Sequence, residues 1–80
     1  MTVITVYSKP RCMPCKQTID ALLAEGHEFH IRPVTPEVAE ELFQWYGYRE
    51  APVVIHKKRG TLVSSWSGFQ PAKIAELKHA

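Results

Sequence analysis

Eighty residues with 45% hydrophobic side chains make a single small core, able to bury only about 60% of the surface its unfolded chain exposes. Ten basic and eight acidic side chains leave a net charge of +2, too balanced for a protein that grips nucleic acid or an anionic membrane. No apolar stretch nears the roughly 20 residues of a membrane span, and Met1-Thr2-Val3-Ile4-Thr5 lacks the basic and long apolar segments of a secretory leader.

Thr2 to Tyr7 is β-branched and aromatic, ends at Ser8-Lys9-Pro10, and reads as a central strand because both faces are apolar. The period then changes. From Pro14 to Glu25, Cys15, Ile19, Leu22 and Leu23 fall on one helical face, with Pro14 tolerated in the first turn and Gly26 as C-cap. His27 to Pro33 alternates, with Phe29 and Ile31 facing one way, as a second strand would. Thr35-Pro36-Glu37 is a helix start, and Val38, Leu42, Trp45 and Tyr46 give that helix its apolar stripe before Gly47 ends it. Val53-Val54-Ile55 follows Pro52 as a third strand. Lys57-Lys58-Arg59-Gly60 is a hairpin loop, and Leu62 to Trp66 returns as a fourth. Pro71 opens a last short helix carrying Ile74 and Leu77. The order is βαβαββα without repeat or linker, so residues 1–80 are expected to form one α/β domain.

The two cysteines are Cys12 and Cys15, separated by Met13-Pro14. So short a loop removes little entropy from the unfolded chain, which makes a poor staple and suits a bond that is made and broken. With only this pair, a secreted disulfide scaffold is excluded and a reducing cytoplasm is the expected compartment. If the helix begins near Met13, Cys12 sits at its N-terminus, where unpaired N–H groups and the dipole favour a thiolate. Lys9, Arg11 and Lys16 add positive charge nearby. Cys15, one turn in, aligns with Ile19 and Leu22. The expectation is an exposed, reactive Cys12 that attacks and a shielded Cys15 that resolves.

A zinc site is the rival reading, because Cys12, Cys15, His27 and His30 spell C-x2-C-x11-H-x2-H, close to a zinc-finger spacing. Helix length argues against it. A dozen helical residues separate the two pairs by roughly 18 Å, and His27 and His30 would point to opposite faces of a strand. His27, His30, His56 and His79 are read as surface or strand residues without a catalytic role, and no metal ligand is assigned. An iron–sulfur carrier held by Cys12 from two chains is disfavoured by the presence of Cys15.

Cys12-Met13-Pro14-Cys15 after a first strand, with Ala51-Pro52-Val53-Val54 about forty residues on, resembles the thioredoxin and glutaredoxin superfamily over essentially the whole chain. Gly47-Tyr48-Arg49 and Trp66-Ser67-Gly68-Phe69-Gln70-Pro71 are more specific and resemble the NrdH-type redoxins. The resemblance implies a thioredoxin-like fold of the glutaredoxin type, a four-stranded mixed sheet flanked by three helices. It implies that Cys12 attacks, Cys15 resolves, and Pro52 is a cis-proline facing them, exposing the Ala51 backbone to an extended substrate strand. Lys9, Arg11, Met13, Pro14, Ala51, Pro52, Trp66, Ser67, Gly68 and Phe69 would frame the partner. Trp66 is expected as structural support and Phe69 as partly exposed, with core packing the competing reading for both. The implied partners are an NADPH-dependent thioredoxin reductase and the C-terminal tail of class Ib ribonucleotide reductase, with no bound cofactor and a monomeric protein.

Glutathione is the alternative reductant. Glutaredoxins hold it partly through Thr-Val-Pro and Gly-Gly-x-Asp stretches, where this chain has Glu50-Ala51-Pro52 and Ser67-Gly68-Phe69-Gln70-Pro71, although Lys9 could still meet a carboxylate. Met13-Pro14 departs from the Val-Gln pair common among NrdH-type redoxins. Proline restricts the turn and removes an N–H that could stabilise the Cys12 thiolate, and a reduction potential near the thioredoxin range is expected.

Overall fold

The computed structural model describes residues 2–77. His79 lies outside the described residues. The chain runs β1 (Thr2–Ser8), α1 (Met13–Ala24), β2 (His30–Pro33), α2 (Pro36–Tyr46), β3 (Val53–Lys58), β4 (Thr61–Ser67) and α3 (Pro71–Glu76). The strands form a mixed sheet in the order β2-β1-β3-β4. β2 lies parallel to β1, with Thr5 opposite His30, while β3 runs antiparallel, with Val6 opposite Val54 and Tyr7 opposite Val53. β1 is therefore internal, as its apolar sequence requires.

Strand alternation divides the apolar residues between two layers. Ile4, Val6, Val54 and Trp66 meet Leu22 of α1 and Ile74 and Leu77 at the end of the chain's last helix. Val53 and Ile55 meet Leu42 of α2, with Tyr7, Val38, Tyr46 and Tyr48 around them.

Several local features follow from single residues. Thr35 Oγ1 accepts the Val38 N–H at 3.2 Å and caps α2, and Gly47 ends it in the left-handed region at φ +80°. Thr18, not Leu23, completes the buried face of α1: Thr18 is fully buried and Leu23 is 62% exposed. At about 100° per residue, Leu23 sits on the rim while Thr18 lies beside Leu22. Trp45 likewise falls outside the stripe expected for α2, at 80% exposure.

β2 is shorter than expected. Phe29 precedes it and packs on the core, whereas Ile31 lies on this edge strand with its side chain exposed. The hairpin loop shrinks to Arg59-Gly60, both at positive φ as a tight type I′-like turn requires. Lys57 and Lys58 belong to β3. Beyond the turn, Leu62 pairs with Lys57 and Ser64 with His56, so Val63 is an extra residue bulging from β4. His56 is a strand residue as expected, but it is buried in the core.

Candidate active site

The loop from Ser8 to Cys12 joins the end of β1 to the start of α1, and Arg11 adopts φ +57°, a left-handed conformation rare for a residue with a side chain. Cys12 is then the N-cap residue, with extended backbone angles. Its carbonyl accepts the Lys16 N–H at 3.1 Å, the first bond of the helix. Its sulfur takes the place of a capping oxygen and accepts the Cys15 N–H at 3.2 Å. Cys12 and Cys15 are joined in a disulfide, their Cα atoms 5.2 Å apart.

The two sulfurs have different surroundings. Cys15 is 1% exposed, packed on the inward face of α1 as expected. Cys12 was expected to be exposed but is half-buried, because the segment before β3 closes over it. The Ala51–Pro52 peptide is cis, and Ala51 O lies 3.9 Å from Cys12 Sγ. In the disulfide that sulfur carries no proton, so this approach is a contact.

What holds Ala51 and Pro52 there is the stretch 67–70. Ser67 Oγ donates to Glu50 O at 2.6 Å, and Gly68 N–H donates to Pro52 O at 2.8 Å. Gln70 Nε2 in turn donates to Ser67 O at 2.8 Å. Four residues read from sequence as partner contacts thus sort differently. Trp66 is 3% exposed and belongs to the core, as expected of structural support, and so does not itself frame a partner. Ser67 and Gly68 clamp the proline segment, and Phe69 is half-buried against the core cluster. The role of Glu50, whose carbonyl takes the shortest of these bonds, was not found from sequence, since a backbone acceptor leaves no side-chain signature.

The disulfide opens onto a groove of about 360 Å³ lined by Ser8, Lys9, Arg11, Cys12, Met13, Cys15, Lys16 and Ile19. Met13 is strongly exposed on its rim. Lys9 also lines a second groove, of about 210 Å³, between α2 and residues 48–53. There the Arg49 guanidinium stacks 3.8 Å from the centre of the Phe43 ring. Lys16 is partly spent in a 2.7 Å ion pair with Asp20 on the exposed side of α1, which reduces its expected support for a Cys12 thiolate.

The rival metal set does not assemble. His27 follows the far end of α1, and no group of three or more His, Cys, Asp or Glu able to hold a metal occurs among the described residues.

Residues 4–60 match the family model described as glutaredoxin. The Glutaredoxin-like protein NrdH of Escherichia coli K12 is 40% identical over 79 residues, covering 96% of this chain and 90% of that protein. The chain belongs to the glutaredoxin family, among its NrdH-type redoxins. The Lactococcus lactis subsp. cremoris NrdH is 34% identical, with 94% of this redoxin and 99% of its relative covered. The solved NrdH-redoxin of Escherichia coli, a glutaredoxin-like protein described as having a thioredoxin-like activity profile, superposes with a TM-score of 0.79. It is 38% identical, and the match covers 94% of this redoxin and 93% of that chain. Yeast mitochondrial thioredoxin 3, at 16% identity and a TM-score of 0.68, shares the fold. This redoxin is accordingly a disulfide oxidoreductase built around the Cys12–Cys15 pair. No helix among the described residues is long and apolar enough to cross a membrane.

Proposed function

We propose that this redoxin carries electrons from an NADPH-dependent thioredoxin reductase to the C-terminal tail of a class Ib ribonucleotide reductase, in a reducing cytoplasm. The reduced protein presents Cys12 as thiolate at the start of α1. Its sulfur attacks one sulfur of the partner's disulfide, and the displaced partner sulfur leaves with the electron pair and takes a proton. Cys15, deprotonated in turn, attacks Cys12 Sγ, forms the intramolecular disulfide seen here, and releases the second partner thiol. Two electrons and two protons have then passed to the partner. The reductase reverses the sequence on Cys12–Cys15.

The observation that carries this reading is the inequality of the sulfurs, one half-buried in an open groove and the other at 1% exposure. An extended partner strand can reach Cys12 along Ala51, and it has no comparable approach to Cys15. Met13, Pro14, Arg11 and Lys9 frame that approach. The choice of reductant is supported by the thioredoxin-like profile of the Escherichia coli relative and by the absence of a carboxylate in Ser67-Gly68-Phe69-Gln70 to meet a glutathione ammonium group. A glutathione-fed cycle is the second reading, favoured by Lys9 lying between both grooves.

The test is reduction of insulin and of a class Ib ribonucleotide reductase with NADPH and thioredoxin reductase, compared with glutathione and glutathione reductase. The first pair should support faster turnover on both substrates. Equal or faster turnover with glutathione would replace the proposal with the second reading.

A further inference from the structure

One buried side chain beside the redox pair has no part in the exchange just described. Thr18 is fully buried on α1, and with His56 it is one of two buried polar side chains among the described residues. A hydroxyl in mid-helix brings no benefit to packing, and a β-branched threonine is a weaker helix former than the alanine or leucine that could fill the site. Its Oγ1 donates to Pro14 O at 2.8 Å.

That carbonyl belongs to the same peptide unit as the Cys15 N–H, which donates to Cys12 Sγ at 3.2 Å. The Pro14–Cys15 peptide is therefore held at both ends, by the Thr18 hydroxyl on its oxygen and by the Cys12 sulfur on its nitrogen. Drawing electron density toward an amide oxygen makes the N–H at its other end a stronger donor, and chained hydrogen bonds reinforce one another in this way. The chain depends on this peptide more than most helix starts do. Pro14 has no N–H to offer, and the Lys16 N–H is committed to Cys12 O.

We propose that Thr18 is a positioning residue for Cys12: through the Pro14–Cys15 peptide its hydroxyl orients and strengthens the N–H that stabilises the Cys12 thiolate. The proposal rests on the reading of Cys12 as the attacking sulfur. Its hydroxyl bonds to Pro14 O rather than to a sulfur, and it acts on the proportion of Cys12 that is ionised.

The experiment compares wild type, Thr18→Val and Thr18→Ser as reduced proteins. Thiolate absorbance near 240 nm and the rate of iodoacetamide alkylation are followed across pH, with the labelled cysteine identified by peptide mass. Thr18→Val should move Cys12 ionisation to higher pH and slow its alkylation about two- to threefold at neutral pH. The plateau rate at high pH should stay the same, and Thr18→Ser should restore the wild-type profile. A purely structural threonine would change stability without moving the pH profile. A folded Thr18→Val protein that titrates like wild type, or a Thr18→Ser protein that behaves like Thr18→Val, overturns the proposal. Should valine prevent folding, Thr18→Ala against Thr18→Ser isolates the same hydroxyl, and identical profiles for that pair would likewise overturn it. Labelling of wild type first at Cys15 would instead overturn the assignment of attacking and resolving roles, an outcome the mass analysis separates from the others.

Discussion

The two ends of the sheet differ in how they use backbone carbonyls to fix loops. At the redox end, carbonyls of Pro14, Glu50, Pro52 and Ser67 each accept a bond from a side chain or amide that fixes the cysteine loop or the proline segment. Buried side-chain nitrogens without a hydrogen-bond partner among the described residues number three: Trp66 Nε1 beside the clamp, and His27 Nε2 and His56 Nδ1 at the other end. The register places His56 opposite Ile4, near the start of β1, and His27 follows the C-terminal end of α1. Chemistry needs atoms held to fractions of an ångström, and the redox end meets that need with pairings between loops. The far end closes the core with whatever fills it, and polar atoms there go unpaired at a cost in stability.

Breaking the redox end should give the largest effect. Cys12→Ser should lower disulfide reduction to the uncatalysed background in an insulin assay, and Cys15→Ser should instead accumulate a mixed disulfide with the partner, visible by mass. A Cys12→Ser protein that stays fully active would sink the mechanism. Next comes the clamp. Ser67→Ala removes the 2.6 Å bond to Glu50 O and should cost about 1 kcal/mol of stability. It should also slow turnover severalfold by loosening Ala51 and Pro52 over the groove, and unchanged kinetics would show that the clamp serves stability alone.

The far end makes a different prediction, in pH. Burial lowers the pKa of His56 from its ordinary 6.5, with His27 and Lys58 adding to the effect. The unfolded chain therefore binds a proton at higher pH than the folded one does. The stability this group allows is fully present above about 6.5 and falls away as pH drops below it toward the lowered value. Thermal melts between pH 7.5 and 5.5 should show this fall, and His56→Phe should flatten it. A wild-type midpoint that does not move over this range would contradict the burial argument. The smallest effect belongs to the outside of α1. Asp20→Asn breaks the exposed ion pair to Lys16 and should change stability by less than about 0.5 kcal/mol, which a denaturant titration can check.

Much of this could be read from the residues. Period changes located all seven elements, Thr35-Pro36 and Gly47 marked both ends of α2, and two cysteines at a helix start named the chemistry. The misses share a cause, because pattern assigns a face without saying how wide the contact is. Leu23 and Trp45 lie on the rims of their stripes, where the neighbouring layer no longer reaches, and Ile31 sits on an edge strand with little above it. The clamp was half legible. Ser67 and Gly68 stood out as part of a motif, but their partners are the carbonyls of Glu50 and Pro52, and backbone acceptors look alike in every sequence. Thr18 was hidden for the same reason, since its partner is Pro14 O.

The extra residue at Val63 has one more consequence. β4 is an outer strand with no charged residue and no proline between Thr61 and Ser67, a composition that elsewhere invites another chain to add itself to the sheet. The bulge interrupts the regular row of donors and acceptors along that border and increases the local twist. A second copy approaching edge-on would find its bonds in register over only part of the strand. One inserted residue, far from the sulfurs, thus works against sheet growth along β4, and under the proposed function it leaves the groove beside Ala51 as the place where a partner strand is received.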